Sequence, residues 1–496
     1  MKSDVIPATD DDIQTPAGIG TSTTGKIINN QSSGGIDGVN ETKSVTELLK
    51  YLNHSPSNIT YFNNAGKVPI PPSVQQAGLI AVHQEANPWT EHDTSTSDNE
   101  TLKLPLSLSL LPSSSSPPQF RSNSEITHET RSLFAKLIGA DASDIAITPS
   151  TGFALTMVAR NLNLTQCVLP QHADSGLGEV KGTTESKKSQ ILILQDEMSS
   201  EVYCWQEELC KSKRCEFVIV PHPTKEEENW TTLIMDRLTD DQENNIKVVC
   251  LPQVHWSDGS YIDLKCIGKE CKKRNIIFVV DGTQSVGICP LNVKEIQCHV
   301  LAASVHKWLL GPHGQSLVYV HPQFHDTWLP LDRHERSRVV FQHEVYDAAE
   351  NNIGPNGYPD AFVAGAARLD SGGKKNPILL SMVCEGLRIV NQINKMEAQK
   401  YLKSLTDEIL IGGVKIGFGV QPGPRAGHII GLRPKSPKLL NLLTPERMVE
   451  IATNLKQRGV YLAVRCGAFR IAPYLDTTMD DVDKLLKALQ EECNDL

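Results

Sequence analysis

Through the middle of the chain, apolar residues fall in short unbroken runs rather than in strict alternation. QILILQ (190–195), EFVIVP (216–221), IKVVCLPQV (246–254), NIIFVVD (275–281), CHVLAAS (298–304) and QSLVYV (315–320) all have strand length, and the shorter DIAIT (144–148) precedes them. A run that is apolar at nearly every position suits a strand covered on both faces. Stretches with helical spacing, such as WTTLIMDRL and LKCIGKECKKR, separate the runs. Strands alternating with helices predict a mostly parallel sheet with helices on both sides. After about residue 345 the pattern changes. SMVCEGLRIVNQINKM and TPERMVEIATNLKQRG read as amphipathic helices, and GVKIGFG and FRIAP as strands. That combination predicts a smaller α+β domain.

The flanking segments read differently. Residues 1–43 are rich in Ser, Thr, Gly, Asp and Asn, too polar to offset chain entropy by burial, and predict a disordered tail. Order is expected from Ser44, where SVTELLKYLN reads as a capped helix. The Ser-, Leu- and Pro-rich stretch 97–124 predicts an exposed insertion. The expected organisation is therefore a tail 1–43, a large domain 44–340 carrying the insertion, and a small domain 341–496.

Composition narrows the class. With 39% apolar and 21% charged residues the chain is an ordinary globular one, and its net charge of -10 argues against a nucleic-acid groove. No apolar run approaches the ~20 residues that span a bilayer. The N-terminus lacks the apolar core of a secretory signal and is too acidic for a transit peptide. The twelve cysteines form no CxxC pair, so they read as reduced thiols of a cytoplasmic protein.

Chemistry concentrates in VVDGTQSVGICPLNVKEIQCHVLAASVHKWLLGPHG (279–314). One apolar strand ends on Asp281; another ends at Ser304, His306 and Lys307. Open α/β sheets place their reactive groups at such strand ends. A lone lysine is usually a solvated surface charge. Lys307, however, follows a buried-type strand beside Trp308, where partial desolvation lowers an amine's pKa and makes it a Schiff-base nucleophile. A lysine for an aldehyde and a carboxylate for a pyridinium nitrogen suit a pyridoxal cofactor. Asp281 could instead cap a helix opened by DGTQS. Ser150-Thr151-Gly152, between DIAIT and an apolar helix, offer an anion site at a helix N-terminus, or a plain N-cap. His306 and His313 without a carboxylate cluster make a poor metal site, and no metal is expected.

DGTQSVG followed by SVHKW-x-x-GPHG resembles the class V aminotransferase family of pyridoxal-phosphate enzymes, which includes cysteine desulfurases and related lyases and epimerases. The resemblance runs from about Tyr61 to about Asp483. It implies fold type I, with a mostly parallel seven-stranded sheet, and a homodimer. It also implies that Lys307 carries the cofactor, Asp281 pairs with the ring nitrogen, and Gln284 meets the ring oxygen. Ser304, His306, Ser150, Thr151 and Gly152 would hold the phosphate. Arg470, in FRIAPYLDTTMDDVD, would grip the substrate carboxylate, with Asn64 of YFNNAG as a lesser contact.

The chain departs from the family pattern in four places. Met198 stands where the family often stacks a histidine on the ring, and Trp256 where it often has Asn. Gly373, in GAARLDSGGKKNP, replaces a Thr whose hydroxyl reaches the phosphate across the dimer. AVRCGAFR joins Arg465 to Arg470 without the long loop that carries a desulfurase's nucleophilic cysteine, and Cys466 is off the matching position. The expected activity is a carbon–sulfur lyase acting on a cysteine-derived amino acid. A transaminase or an epimerase is the alternative, with a desulfurase further off. A cofactor-less scaffold is the reading outside enzymology.

Overall fold

The computed structural model describes residues 58–86, 122–162, 188–211, 215–339 and 360–494, with isolated positions between 47 and 56. The expected tail 1–43 and positions 97–121 of the expected insertion lie outside the described residues, and the helix expected from Ser44 is described only at Glu47 and Leu49, which are helical, and at Leu52, which is not. Strand β1 (Thr60–Tyr61) leads to helix α1 (Pro72–Glu85), which starts with proline at its first turn. Helix α2 (Asn123–Ile138) is fixed at both ends. Ser122 and Glu125 form a reciprocal capping box, and Gly139 closes the helix at φ 71°.

From there strand and helix alternate as β2 (Ile145–Thr148), α3 (Thr151–Asn161), β3 (Ser189–Leu194), α4 (Ser199–Trp205), β4 (Cys215–Val220), α5 (Trp230–Asp240), β5 (Ile246–Pro252), α6 (Leu264–Lys273), β6 (Ile277–Asp281), α7 (Val293–Ile296), β7 (Val300–Ser304) and β8 (Ser316–Val320). The strands form one seven-stranded sheet in the order β2-β8-β7-β6-β5-β3-β4. Only β8 runs against its neighbours. The apolar runs are strands because both faces are buried. Val249, Leu251, Phe278, Val280 and Leu301 belong to one core, while Val248, Cys250, Val279, Val300 and Ala302 belong to the other. The expected α/β class with a mostly parallel sheet is what forms.

The remainder continues through α8 (Pro377–Asn391), α9 (Lys395–Ile416), β9 (Phe418–Gly419), β10 (Ile430–Pro434), α10 (Pro437–Leu442), α11 (Pro445–Gln457), β11 (Val460–Tyr461), β12 (Ala463–Arg465), β13 (Ala468–Ile471) and α12 (Met479–Asn494). A four-stranded sheet has the order β12-β13-β10-β9, and β11 pairs in parallel with β1. Two local expectations need correction. SMVCEGLRIVNQINKM is not one helix: α8 stops at Asn391, and Asn394 caps the next helix by accepting the Met396 and Glu397 N–H groups. GVKIGFG is not a strand throughout. Gly413–Ile416 finish α9, and Gly417 at φ 111° ends that helix, leaving only Phe418–Gly419 extended.

The turn after β6 lies against the turn after β7, at a separation only glycine permits. Gly287 has φ 100°, and a Cβ there would lie 2.4 Å from the Trp308 carbonyl oxygen. Gly372, at φ 74°, has nothing within 4 Å of its would-be Cβ. Gly287→Ala should therefore cost clearly more than the ~1–3 kcal/mol of left-handed strain alone. Gly372→Ala should cost only that strain, and urea denaturation of the two variants measures the difference.

Candidate active site

Because β2, β3, β5, β6 and β7 run the same way, their C-terminal ends share one rim. That rim and the loops from β1 and β13 enclose a cavity of about 360 Å³. Ser150, Thr151, Gly152, Met198, Trp256, Asp281, Gln284, Ser304, His306, Lys307 and Arg470, all singled out from the sequence, line it together. A second cavity of about 480 Å³ shares no lining residue with it.

Asp281 ends β6 and is 6% exposed. Its Oδ1 accepts the Thr283 N–H at 2.7 Å, which closes a tight turn; it caps no helix. Gln284 spans the two turns. Its Oε1 accepts the Trp308 Nε1–H at 2.9 Å, and its Nε2 donates to the Ala65 carbonyl at 3.1 Å. An amide nitrogen has two hydrogens, so one donor remains for the cavity. Lys307 stands in the turn after β7, half-buried. Burial pushes its amine down to about 8, against the pull of Asp281; Arg470 pushes the same way as burial.

Hydroxyls gather on the other side. Thr151 Oγ1 is 2.7 Å from Ser304 Oγ and 3.4 Å from Thr283 Oγ1, and Thr283 Oγ1 accepts the Ser304 N–H at 3.1 Å. Ser150 caps α3 by accepting the Phe153 N–H at 3.1 Å, so the first turn of that helix opens towards the hydroxyl group. His306 stacks on His313 at 3.9 Å. Burial, then Lys307, pushes its imidazole down to about 4, which leaves it neutral.

Arg470, 3% exposed, is aimed by neutral groups. It donates to the Trp256 carbonyl at 3.1 Å and to Asn63 Oδ1 at 3.3 Å, and its Nε is buried without a hydrogen-bond partner. Trp256 lies with its ring centroid 5.8 Å from that guanidinium, its indole N–H donating to the Asp196 carbonyl at 2.8 Å. Met198 precedes α4 and is 36% exposed. Asn64 does not reach the cavity as expected. Its amide donates to Ala472 and Tyr61 carbonyls, tying the β1 loop to β13, and Asn63 is the residue that meets Arg470.

Sequence reasoning also missed Thr283, Glu197, Glu201 and Arg465, all of which line the cavity. Thr283 sits inside DGTQS and Arg465 is the arginine of AVR, so position within a motif was available as a signal. His428 had no local signal. It is fully buried, contacts the Gln284 carbonyl through Nε2 at 2.7 Å, and is pushed down by burial to about 4.

A near-neutral amine, a buried carboxylate close to it, and hydroxyls at an open helix N-terminus fit a pyridoxal 5'-phosphate. Among the described residues no group of His, Cys, Asp or Glu could hold a metal ion. Fold and site together define a fold type I pyridoxal-phosphate enzyme. The family model for class-V aminotransferases matches residues 177–410. A relative described as an uncharacterized aminotransferase, YcbU of Bacillus subtilis, is 24% identical over 72% of this chain and 81% of its own. The cysteine desulfurase CsdA of Escherichia coli superposes with a TM-score of 0.66 at 16% identity, covering 92% of this chain and all (100%) of its own. The cystine C-S lyase C-DES, solved with its product cysteine persulfide, gives 0.64 at 16% identity, over 88% and 98%. Over residues 177–410 the chain matches the class V aminotransferase family, and its cofactor is pyridoxal 5'-phosphate.

An amine at about 8 attacks an aldehyde only when neutral. The rate at which apoprotein captures the cofactor should climb about tenfold per pH unit below that value and flatten above it. Stopped-flow absorbance measures this. An ordinary lysine would still be climbing at pH ~9.

Proposed function

We propose that the protein is a carbon–sulfur lyase acting on a cysteine-derived thioether, disulfide or sulfoxide. The observation that carries this reading is the hairpin between Arg465 and Arg470. Strands β12 and β13 pair Arg465 with Ala468, so only Cys466 and Gly467 form the turn, both at positive φ. A nucleophilic cysteine needs a mobile loop to reach the substrate sulfur, and this turn has no slack. Burial, then Asp196, also raises the Cys466 thiol, which works against a thiolate. Sulfur would then leave with the substrate's own fragment and not on the protein.

The roles follow from geometry and family resemblance. Lys307 would carry the cofactor, Asp281 face the ring nitrogen and Gln284 the ring oxygen. Thr151, Ser304 and the first turn of α3 would hold the phosphate, with Ser150, Gly152 and neutral His306 around it. Arg470 would clamp the substrate carboxylate, with Met198 and Trp256 giving apolar cover. Bound there, the cofactor supplies an aldehyde for the substrate amine and a ring that withdraws charge from Cα. The Lys307 amine takes the Cα proton. Loss of the Cβ–S bond would release the sulfur with its electron pair: as a thiol from a thioether, a persulfide from a disulfide, or a sulfenic acid from a sulfoxide. The three-carbon remainder would be released to water as pyruvate and ammonia.

The family resemblance also supports a homodimer; the change of pattern after about residue 345 supports the division into domains 44–340 and 341–496, and the cysteine usage a cytoplasmic location. No helix among the described residues is long and apolar enough to cross a membrane. The test is to offer the holoenzyme cystine and S-substituted cysteines and measure pyruvate, ammonia and persulfide. Pyruvate and ammonia in equal amounts are expected. Lys307→Ala should lose roughly 10²–10⁴-fold or more, Arg470→Lys should raise KM, and Cys466→Ser should turn over like wild type. A keto acid that keeps the substrate's sulfur would make the protein a transaminase. Persulfide that requires Cys466 would make it a desulfurase.

A further inference from the structure

The cavity holds more acid than the family resemblance accounts for. Besides Asp281 it is lined by Glu197 and Glu201. Glu201, in the first turn of α4, is 2% exposed, and no donor reaches its Oε2. The side chain in hydrogen-bonding contact with it is another carboxyl, that of Asp281. Two carboxylates in contact, out of water, repel; they attract only when one proton lies between them. Which one holds the proton follows from their other partners. Asp281 already accepts the Thr283 N–H at 2.7 Å and lies near the Lys307 amine, both of which favour its anion. Glu201 has no such support.

We infer that Glu201 is the neutral partner and donates its carboxyl O–H to the Asp281 carboxylate, holding that carboxylate ionised and oriented towards the cofactor ring. Glu201 is thus a positioning residue that acts through Asp281. The groups facing it are Glu197 and Cys204 on its own segment, Cys250 on β5, Asp281 on β6 and Lys307 after β7. Burial raises its carboxyl well above the usual range, and Glu197, Asp281 and Cys204 raise it further. The arrangement solves a solvation problem. A buried carboxylate needs donors in place of water, and the turn backbone gives Asp281 the Thr283 N–H. The inference rests on Asp281 as partner of the ring nitrogen but is independent of the lyase reading.

Three measurements on the full-length protein test it. In the infrared difference spectrum of apoprotein, wild type minus Glu201→Gln, a protonated-carboxyl stretch should appear at neutral pH. Its absence would overturn the inference whatever Asp281 does. In pyridoxal-phosphate dissociation constants measured against pH, Glu201→Ala removes the donor to Asp281. The acid limb of Glu201→Ala should therefore move up by about one pH unit or more. Glu201→Gln keeps a donor and should follow wild type. A Glu201→Ala profile overlying wild type, or a Glu201→Gln profile following Glu201→Ala, contradicts the donor role. If Glu201→Ala does not fold, the Gln variant and the infrared result decide. Unchanged cofactor affinity in Asp281→Asn would reject Asp281 as the ring partner, a separate failure that leaves the infrared test of Glu201 standing.

Discussion

The contact between the turn after β6 and the turn after β7 is the constraint on which the site depends. Asp281 and Lys307 come from different strands, and each strand alone leaves its side chain free to point anywhere on the rim. Gly287 lets the two turns approach to a separation that a Cβ would forbid, and Gln284 and Trp308 join them by a buried hydrogen bond. His428 then fixes the Gln284 backbone from behind. Acid and amine are thereby set by packing and do not depend on their own weak attraction. That is what a site must do if its charges are to stay in place when a substrate displaces water.

Electrostatics follows from that enclosure. The cavity collects Asp281, Glu197 and Glu201 against Lys307, Arg465 and Arg470. In water such a set would be six full charges. Burial changes that: Glu197 rises to about 8 and is neutral at pH 7, Lys307 falls to about 8 and titrates near neutrality, and Arg470 falls only to about 10 and stays charged, each moved first by loss of solvent. The half-protonated set suits chemistry that passes protons among an amine, a carbon and a leaving group near neutral pH. Arg470, fixed by two neutral oxygens, keeps its charge for an incoming carboxylate.

Much of this was readable from the sequence because it is local. Seven apolar runs became the seven strands, since covering on both faces leaves a pattern that needs no partner to be recognised. Asp281 and Lys307 stood out because strand ends carry chemistry in open α/β sheets. What failed was decided at a distance. Glu201 reads as an ordinary acid in a first helical turn, and becomes a buried group only because β6 ends against it. Asn63 and Asn64 are adjacent, and which one faces Arg470 depends on how Ala472 pairs with the β1 loop. Gly413–Ile416 read as strand because alternation over four residues cannot be told from the end of a helix until the glycine stop is seen.

The central claim is that Lys307, and no other lysine, holds the cofactor. Borohydride reduction of the holoenzyme followed by peptide mass mapping tests it most directly. Reduction should fix a single pyridoxyl group on the peptide containing Ser304, His306 and Lys307, and Lys307→Ala should leave the protein unlabelled. A label on a different lysine, or none on the wild-type protein, would contradict it.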